Sequence, residues 1–334
     1  MSNPNNQEIF KHVRKAQCQY PMELIRGLHN LRSRHHGCVL AIGNFDGVHR
    51  GHQRVLRQLR RAAEQTGQAA MLMIFEPQPR EYFAPASAPA RISRLREKWL
   101  RLRQQPLDRV LCVRFCPAFL QLPPETFIDQ VLVKALGVRV VVVGEDFRFG
   151  HHGAGDVTLL QRAGARQGFR VEPCERFDHH SQRVSSSWVR QALAEGDLSL
   201  AEQLLGYPYA LCGRVVHGQR LGRTLGFPTA NIPVPPPHPP LKGVFAVRLH
   251  GVGVTALPGV ANLGYRPTIN GTELRLEVHV FDFDAEIYGY HVMVEFIQRI
   301  RAEQRFDSLD ELRAQISADS RAARICFGLS EANG

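Results

Sequence analysis

Two rhythms of apolar spacing divide this chain. Up to about residue 206, short apolar runs alternate with stretches of helical period. Residues 39–42 have the length of a buried parallel strand. Behind them Val55, Leu56, Leu59, Ala62 and Ala63 recur at helical spacing, with Arg54, Arg57 and Arg61 pointing away. Residues 70–75, 107–115 and 138–144 repeat the strand pattern, and 124–136 repeat the helical one, with proline near its start. The alternation predicts a parallel sheet covered by helices. Residues 22–28 predict a further short helix. Residues 91–103 predict an amphipathic helix docked by Ile92, Leu95, Trp99 and Leu102, with its charges on a solvated face. His35 and His36 read as a polar, solvated lead-in to the first run, and 84–89 as a flexible loop. Ser199 and Glu202 form a capping box for a helix ending near Gly206.

Beyond 206 the pattern changes to short strands and glycine turns, with a proline-rich surface loop at 233–240. Residues 243–249, 259–268 and 291–297 read as strands. In 274–283 the alternation is strict: Leu274, Leu276, Val278 and Val280 face a core, leaving Arg275, Glu277 and His279 on the other side. Ser308 opens a capped C-terminal helix. The change of rhythm predicts two domains, 1–206 and 207–334, each long enough to bury its own core.

Composition adds limits. The seven cysteines, at 18, 38, 112, 116, 174, 212 and 326, form no CxxC pair and are odd in number, which argues against a disulfide framework or zinc site and suits a reducing cytoplasm. Residues 1–20 are polar and loosely ordered in this reading, without the apolar core of a signal peptide, and no apolar run approaches membrane-spanning length. The formal net charge of +11 fits either a nucleic acid or small anionic substrates, and by itself does not choose between them.

The densest chemistry follows the first apolar run, in GNFDGVHRGH at 43–52. Gly43, Gly47 and Gly51 permit a tight turn, and His49 and His52 fall at the start of the following helix, where free backbone N–H groups and the helix dipole favour phosphate oxygens. The stretch resembles the HxGH signature of the nucleotidyltransferase superfamily, in the extended form of the prokaryotic bifunctional riboflavin kinase/FAD synthetases. The resemblance continues in PQPREYF at 77–83, where many members carry histidine in place of Gln78. It continues again in GEDFRFG at 144–150 and in SSSWVR at 185–190, similar to the family's ISSTxIR. It implies that Gly43, Asn44, Phe45, Asp46, Gly51, Asp146, Ser186, Ser187 and Arg190 bind ATP and phosphate around His49 and His52. Read without the family, Asp146 is equally a strand-end turn carboxylate, whereas serines and an arginine at a helix start suit an anion.

Residues 213–232, GRVVHGQRLGRTLGFPTANI, resemble the riboflavin kinase signature, whose centre is GFPTAN. The likeness implies a glycine flap over phosphates (Gly213, Gly218, Gly222, Gly226 and Pro228) and hard oxygen ligands for magnesium from Thr229 and Asn231. These two are one residue apart, so both can face the same side of an extended chain. Glu277 matches the family's catalytic glutamate, and Arg266 lies in a second family-like segment, GVANLGYRPT at 259–268.

The resemblance covers nearly the whole chain. It implies a doubly wound α/β nucleotidyltransferase domain followed by a six-stranded antiparallel β-barrel with a terminal helix. The expected activities are ATP-dependent phosphorylation of riboflavin to FMN in the barrel and adenylylation of FMN to FAD in the first domain. Expected partners are riboflavin, FMN, ATP and Mg2+, without nucleic acid or membrane; oligomeric state is not readable. Two other classes keep some of the same features. A transferase acting on another phosphorylated alcohol would ignore riboflavin, and an RNA-binding regulator would bind RNA salt-sensitively without turnover.

Overall fold

A computed structural model of the chain describes residues 22–218, 226–268 and 271–330. Residues 1–20 and Gly222 lie outside the described residues. These fall into two compact units: the residues up to Pro89 with Lys98–Ser185, and Ala90–Glu97 with the residues from Ser186 onward.

The first unit is a six-stranded parallel sheet of β1 (Glu23–Arg26), β2 (Cys38–Ile42), β3 (Ala69–Glu76), β4 (Arg109–Arg114), β5 (Val138–Val143) and β6 (Arg170–Pro173), in the order β1-β4-β3-β2-β5-β6. Every residue of β2 is buried, as a parallel strand covered on both faces requires. Helix α1 (Arg50–Thr66) buries the expected stripe of Val55, Leu56, Leu59, Ala62 and Ala63, while Arg54 and Arg61 reach out to pair with Glu175. From β2 the chain steps to β3 and β4 in one direction, then returns to place β5 on the other side of β2. Strand order reverses there, so β2 and β5 flank a topological switch point, and ligand crevices open beyond the carboxyl ends of such strands.

Residues 22–28 are not a helix. Glu23–Arg26 within them form β1, which pairs with β4 from Glu23↔Arg109 to Arg26↔Cys112, so a distant strand edge overrides local spacing. Glu23 accepts a hydrogen bond from Arg34 at 2.7 Å and contacts His35 Nε2 at 3.2 Å; the Arg34 hydrogen bond holds its carboxyl below the ordinary range, with burial opposing and His35 reinforcing it. His35 is therefore buried rather than solvated, and its Nδ1 accepts from the Arg32 N–H at 3.0 Å. Within 91–103 the helix α2 spans only Leu95–Leu102. Ile92 and Leu102 are buried as expected, but so are Arg91, Glu97 and Lys98, so the charged face is not simply solvated. Glu97 has partners that make burial tolerable: its Oε1 accepts from Arg94 at 2.8 Å and from the Cys212 N–H at 3.0 Å.

The expected helix at 124–136 begins as Pro124–Thr126 and continues as a π-helix over Phe127–Ala135, burying Phe127, Ile128, Val131 and Leu132. Pro85–Ser87 is a 3-10 turn inside the expected loop. Helix α3 (Val157–Gln167) is capped by Asp156, and a short hairpin of β7 (Asp178–His179) and β8 (Gln182–Arg183) follows β6.

The second unit opens with α4 (Ser186–Glu195) and α5 (Leu198–Leu205). The cap of α5 is Asp197, accepting from the Leu200 N–H at 2.9 Å; Ser199 is already inside the helix, and Gly206 ends it at φ 80°. Six antiparallel strands follow: β9 (Ala210–Arg214), β10 (Ala230–Pro233), β11 (Gly243–His250), β12 (Leu257–Thr268), β13 (Gly271–Val280) and β14 (His291–Arg301). Their order is β10-β13-β12-β11-β14-β9, and a bridge from Val216 to Asn231 brings the two outer edges together into a nearly closed barrel. Leu274, Leu276, Val278 and Val280 are buried, as their alternation requires. Helix α6 (Leu309–Cys326), capped by Ser308, sets Ala323 against Val244, Ala246, Val260 and Phe281. No helix among the described residues is long and apolar enough to cross a membrane.

Candidate active sites

The loop leaving β2 is Gly43 to His49, and Phe45, Gly47 and Val48 in it all take positive φ, at 47°, 81° and 40°. For a phenylalanine and a β-branched valine this is strained backbone, which persists only where surrounding structure imposes it. Phe45, Asp46 and Val48 are buried, so the core supplies that constraint. His49 caps α1: its Nδ1 accepts from the His52 N–H at 3.3 Å. An accepting Nδ1 puts the proton of the neutral ring on Nε2, a donor suited to phosphate oxygens. The His49 and His52 rings stack with centroids 3.6 Å apart, and Phe45 stacks on His52 at 4.5 Å. Gly51 makes this possible, because a Cβ there would press to 3.1 Å on the His49 ring and on the Val184 carbonyl.

Lys98 completes the arrangement, and sequence reasoning missed it. Its side chain is fully buried, and Nζ donates to the Asn44 carbonyl at 2.8 Å and meets Glu76 Oε1 at 3.3 Å. Glu76 ends β3, so the lysine ties the loop after β2 to the loop after β3. In that second loop Gln78 is buried and precedes the helix Pro79–Phe83, its N–H donating to Glu81 at 2.9 Å.

Asp146 stands exposed in the turn beyond β5, with Oδ1 so close over Gly144 that a Cβ there would approach to 2.9 Å. Since β2 and β5 are paired neighbours (Ala41↔Val142), the histidine turn and the Asp146 turn leave the sheet side by side at the switch point. Ser186 and Ser187 are the first two residues of α4, in the other unit, where Arg190 Nε donates to the Ala90 carbonyl at 2.6 Å.

In the barrel, Asn231, Glu277 and Asn262 form one cross-strand row: Asn231 on β10 pairs with Glu277 on β13, which pairs with Asn262 on β12. All three lie on the face opposite Leu276 and Val278. Asn231 is buried and its Nδ2 donates to the Thr229 carbonyl at 3.2 Å, with Thr229 Oγ1 at 3.5 Å. Gly218 lies directly over this amide, where a Cβ would come to 2.5 Å, and Gly213 likewise leaves room for Ile232. Gly226, at φ 87°, precedes Phe227 and Pro228, and the Pro228 carbonyl accepts from His279 Nδ1 at 2.9 Å. Burial keeps the pKa of His279 below the ordinary histidine value, with the Pro228 bond opposing.

Glu277 is gripped by Arg266, Nη2 to Oε2 at 2.9 Å and Nε to Oε1 at 3.4 Å. Burial disfavours charge on Arg266, but the hydrogen bond and field of Glu277, with help from Glu303, outweigh it and raise the arginine's pKa. The Glu303 carboxylate occupies the space that a side chain at Gly264 would need. The site thus holds an oriented carboxylate beside two hard oxygen donors. The Arg266 grip and the place of Asn262 were not foreseen; the two-residue alternation on β12 was the signal that could have found them.

A family model described as FAD synthetase matches residues 31–188, and one described as riboflavin kinase matches residues 205–327. The chain is 52% identical over 311 residues to the bifunctional riboflavin kinase/FMN adenylyltransferase of Escherichia coli K12, covering 93% of this chain and 99% of the relative. It is 48% identical to the proteins of the same description from Haemophilus influenzae (92% and 99% covered) and Pseudomonas fluorescens (91% and 97%). Among solved structures, one described as a macrolide-efflux protein from Streptococcus pneumoniae superposes with a TM-score of 0.74 at 29% identity, covering 91% of this chain and 98% of that one.

Proposed function

This chain belongs to the bifunctional riboflavin kinase/FMN adenylyltransferase family, and we propose that its two reactions run at the two constellations just described. It phosphorylates riboflavin to FMN with ATP and adenylylates FMN to FAD with release of pyrophosphate. In our reading residues 207–334 perform the first step and 1–206 the second, and the two matched ranges support that division. The observation that carries it is the placement of the chemistry: stacked histidines at a helix start beside a switch point, and a glutamate in a barrel row beside Asn231.

In the kinase, Arg266 orients Glu277, whose carboxylate takes the proton of the riboflavin 5′-hydroxyl as that oxygen attacks the γ-phosphorus of ATP and ADP leaves. Thr229 and Asn231 would hold Mg2+, since their hydroxyl and amide oxygens are the hard donors that ion takes and the two side chains are already adjacent, with Asn231 Nδ2 donating to Thr229 Oγ1 at 3.5 Å. When bound, the ion neutralises charge on the transferring phosphates. Gly213, Gly218, Gly226 and Pro228 shape the phosphate flap, and His279 fixes its carboxyl end through the Pro228 carbonyl.

In the adenylyl site, an FMN phosphate oxygen attacks the α-phosphorus of ATP and the bond to pyrophosphate breaks. His49 and His52 donate hydrogen bonds to the charge that builds, aided by the start of α1, and neither forms a covalent bond. Gly43, Asn44, Phe45, Asp46 and Gly51 hold the turn, while Asp146 faces the nucleotide; the family likeness also gives Ser186, Ser187 and Arg190, which belong to the other unit, as phosphate binders. The chain works in a reducing cytoplasm in this reading, which the free state of the six described cysteines supports, and its basic charge serves anionic substrates rather than a nucleic acid.

The test is to incubate the pure protein with riboflavin, ATP and magnesium and follow FMN and FAD by chromatography. His52→Ala is expected to accumulate FMN while FAD formation falls by about 10²–10³. Glu277→Gln is expected to lose about 10²–10⁴ in riboflavin phosphorylation yet still convert supplied FMN. Loss of both steps in either folded variant, or salt-sensitive RNA binding without turnover, overturns the reading.

A further inference from the structure

We propose that Asn262 reads the ribityl chain of riboflavin, its side-chain oxygen accepting a hydrogen bond from a secondary hydroxyl on the side of Glu277 away from Thr229 and Asn231. The inference rests on Glu277 being the kinase base, but its supporting observations are separate.

The first is position. Asn262 faces Glu277 from β12 as Asn231 faces it from β10, so the three side chains stand in a row with neighbours about 5 Å apart. Thr229 and Asn231 fix the phosphate end of that row. In an in-line displacement the attacking oxygen approaches opposite the leaving group, so the carbon chain behind the 5′-hydroxyl leads away from the phosphates. Past Glu277, the next side chain in the row is Asn262.

The second is an unmet polar atom. Asn262 Oδ1 is buried and has no hydrogen-bond partner among the described residues. Its neighbours are satisfied: Asn231 donates to Thr229, and Arg266 occupies both oxygens of Glu277. Orienting the base is therefore the work of Arg266, and the Asn262 oxygen is left to something that arrives. A buried acceptor without a donor destabilises the fold, so its presence points to a ligand that supplies one.

The third is chemical sign. An orphan acceptor seeks a donor. The phosphate oxygens of ATP are acceptors and would repel it, whereas each ribityl hydroxyl carries an O–H.

The experiment compares steady-state phosphorylation of riboflavin, and of analogues each lacking one ribityl hydroxyl, by the full-length protein and by Asn262→Leu and Asn262→Asp. Leucine keeps the bulk and removes the acceptor; aspartate keeps an acceptor. Asn262→Leu is expected to raise KM for riboflavin about tenfold with a smaller change in kcat, to leave KM for ATP unchanged, and to convert supplied FMN to FAD normally. Asn262→Asp is expected to recover most of the loss. One analogue should be a poor substrate for the natural protein, while Asn262→Leu no longer distinguishes it from riboflavin. Undiminished discrimination among analogues, or a change in KM for ATP in place of riboflavin, overturns the proposal. Glu277→Gln run in parallel keeps the two readings apart: full turnover there would sink the base assignment, whatever the Asn262 variants do.

Discussion

Lys98 carries its charge into a fully buried position because Glu76 and the Asn44 carbonyl wait there, and that burial gives the lysine leverage over the histidine turn. Lys98→Met keeps the length of the side chain and removes the charge. The expected result is a loss of roughly 1–3 kcal/mol in stability, less than for a fully sealed pair because Glu76 retains some exposure. FAD formation should slow by about 10²-fold as the turn relaxes, with riboflavin phosphorylation kept. A wild-type rate of FAD formation in this variant would show that the turn holds itself. Legibility at this scale followed locality. His49, Gly51 and His52 lie within four residues of one another, so the role proposed for them follows from local spacing. Lys98 sits in a run of arginines with its partners 54 and 22 residues away, so nothing nearby separates it from a solvated charge. Asn262 escaped notice for a related reason, since a row across three strands exists only once register is set.

Strands and long helices were legible where one face is buried over many residues, as in α1 and β13. Errors arose where a short segment has little pattern of its own. β1 is four residues long and exists because β4 offers an edge. The start of α5 shows how capping chemistry can mislead: Ser199 and Glu202 have capping-box spacing, but Asp197 makes the bond. Asp197→Ala is accordingly expected to cost about 1 kcal/mol and Ser199→Ala close to nothing, read from denaturant midpoints. Equal costs would restore the serine as the cap. On β13, His279 gives the barrel a pH response. Its folded pKa lies below 6.5, so as pH falls past that value the unfolded chain takes up a proton that the folded chain refuses, and stability declines. Arg324 adds to the shift, while the Pro228 bond and Asp282 oppose it; burial lowers His238 and His291 in the same direction. The guanidinium midpoint should therefore be lower near pH 5.5 than near pH 7.5, before carboxylates begin to titrate. A midpoint that rises on acidification would contradict this.

The molecule as a whole carries a net charge of +11 and handles substrates that are nearly all anionic. Raising ionic strength is expected to increase KM for ATP and FMN with little change in kcat, while excess polynucleotide leaves turnover unaffected; strong inhibition by polynucleotide would favour a nucleic-acid partner. Two sheets of different kind make the division of labour legible in outline, because parallel and antiparallel strands leave different rhythms in the chain. Helices α4 and α5 continue the helical rhythm of the first part and fall in the compact unit that holds the barrel. The parallel sheet also sets a timetable. Cys38 of β2 pairs with Ala69 of β3 but must wait for Val138 of β5. At roughly 5–20 residues per second of synthesis, the emerging chain spends on the order of 5–20 seconds with both histidines made and the second wall of their crevice not yet built. A nascent chain halted in that interval should retain no ATP and should be cut readily by protease at the histidine turn, and release past β5 should end both conditions together.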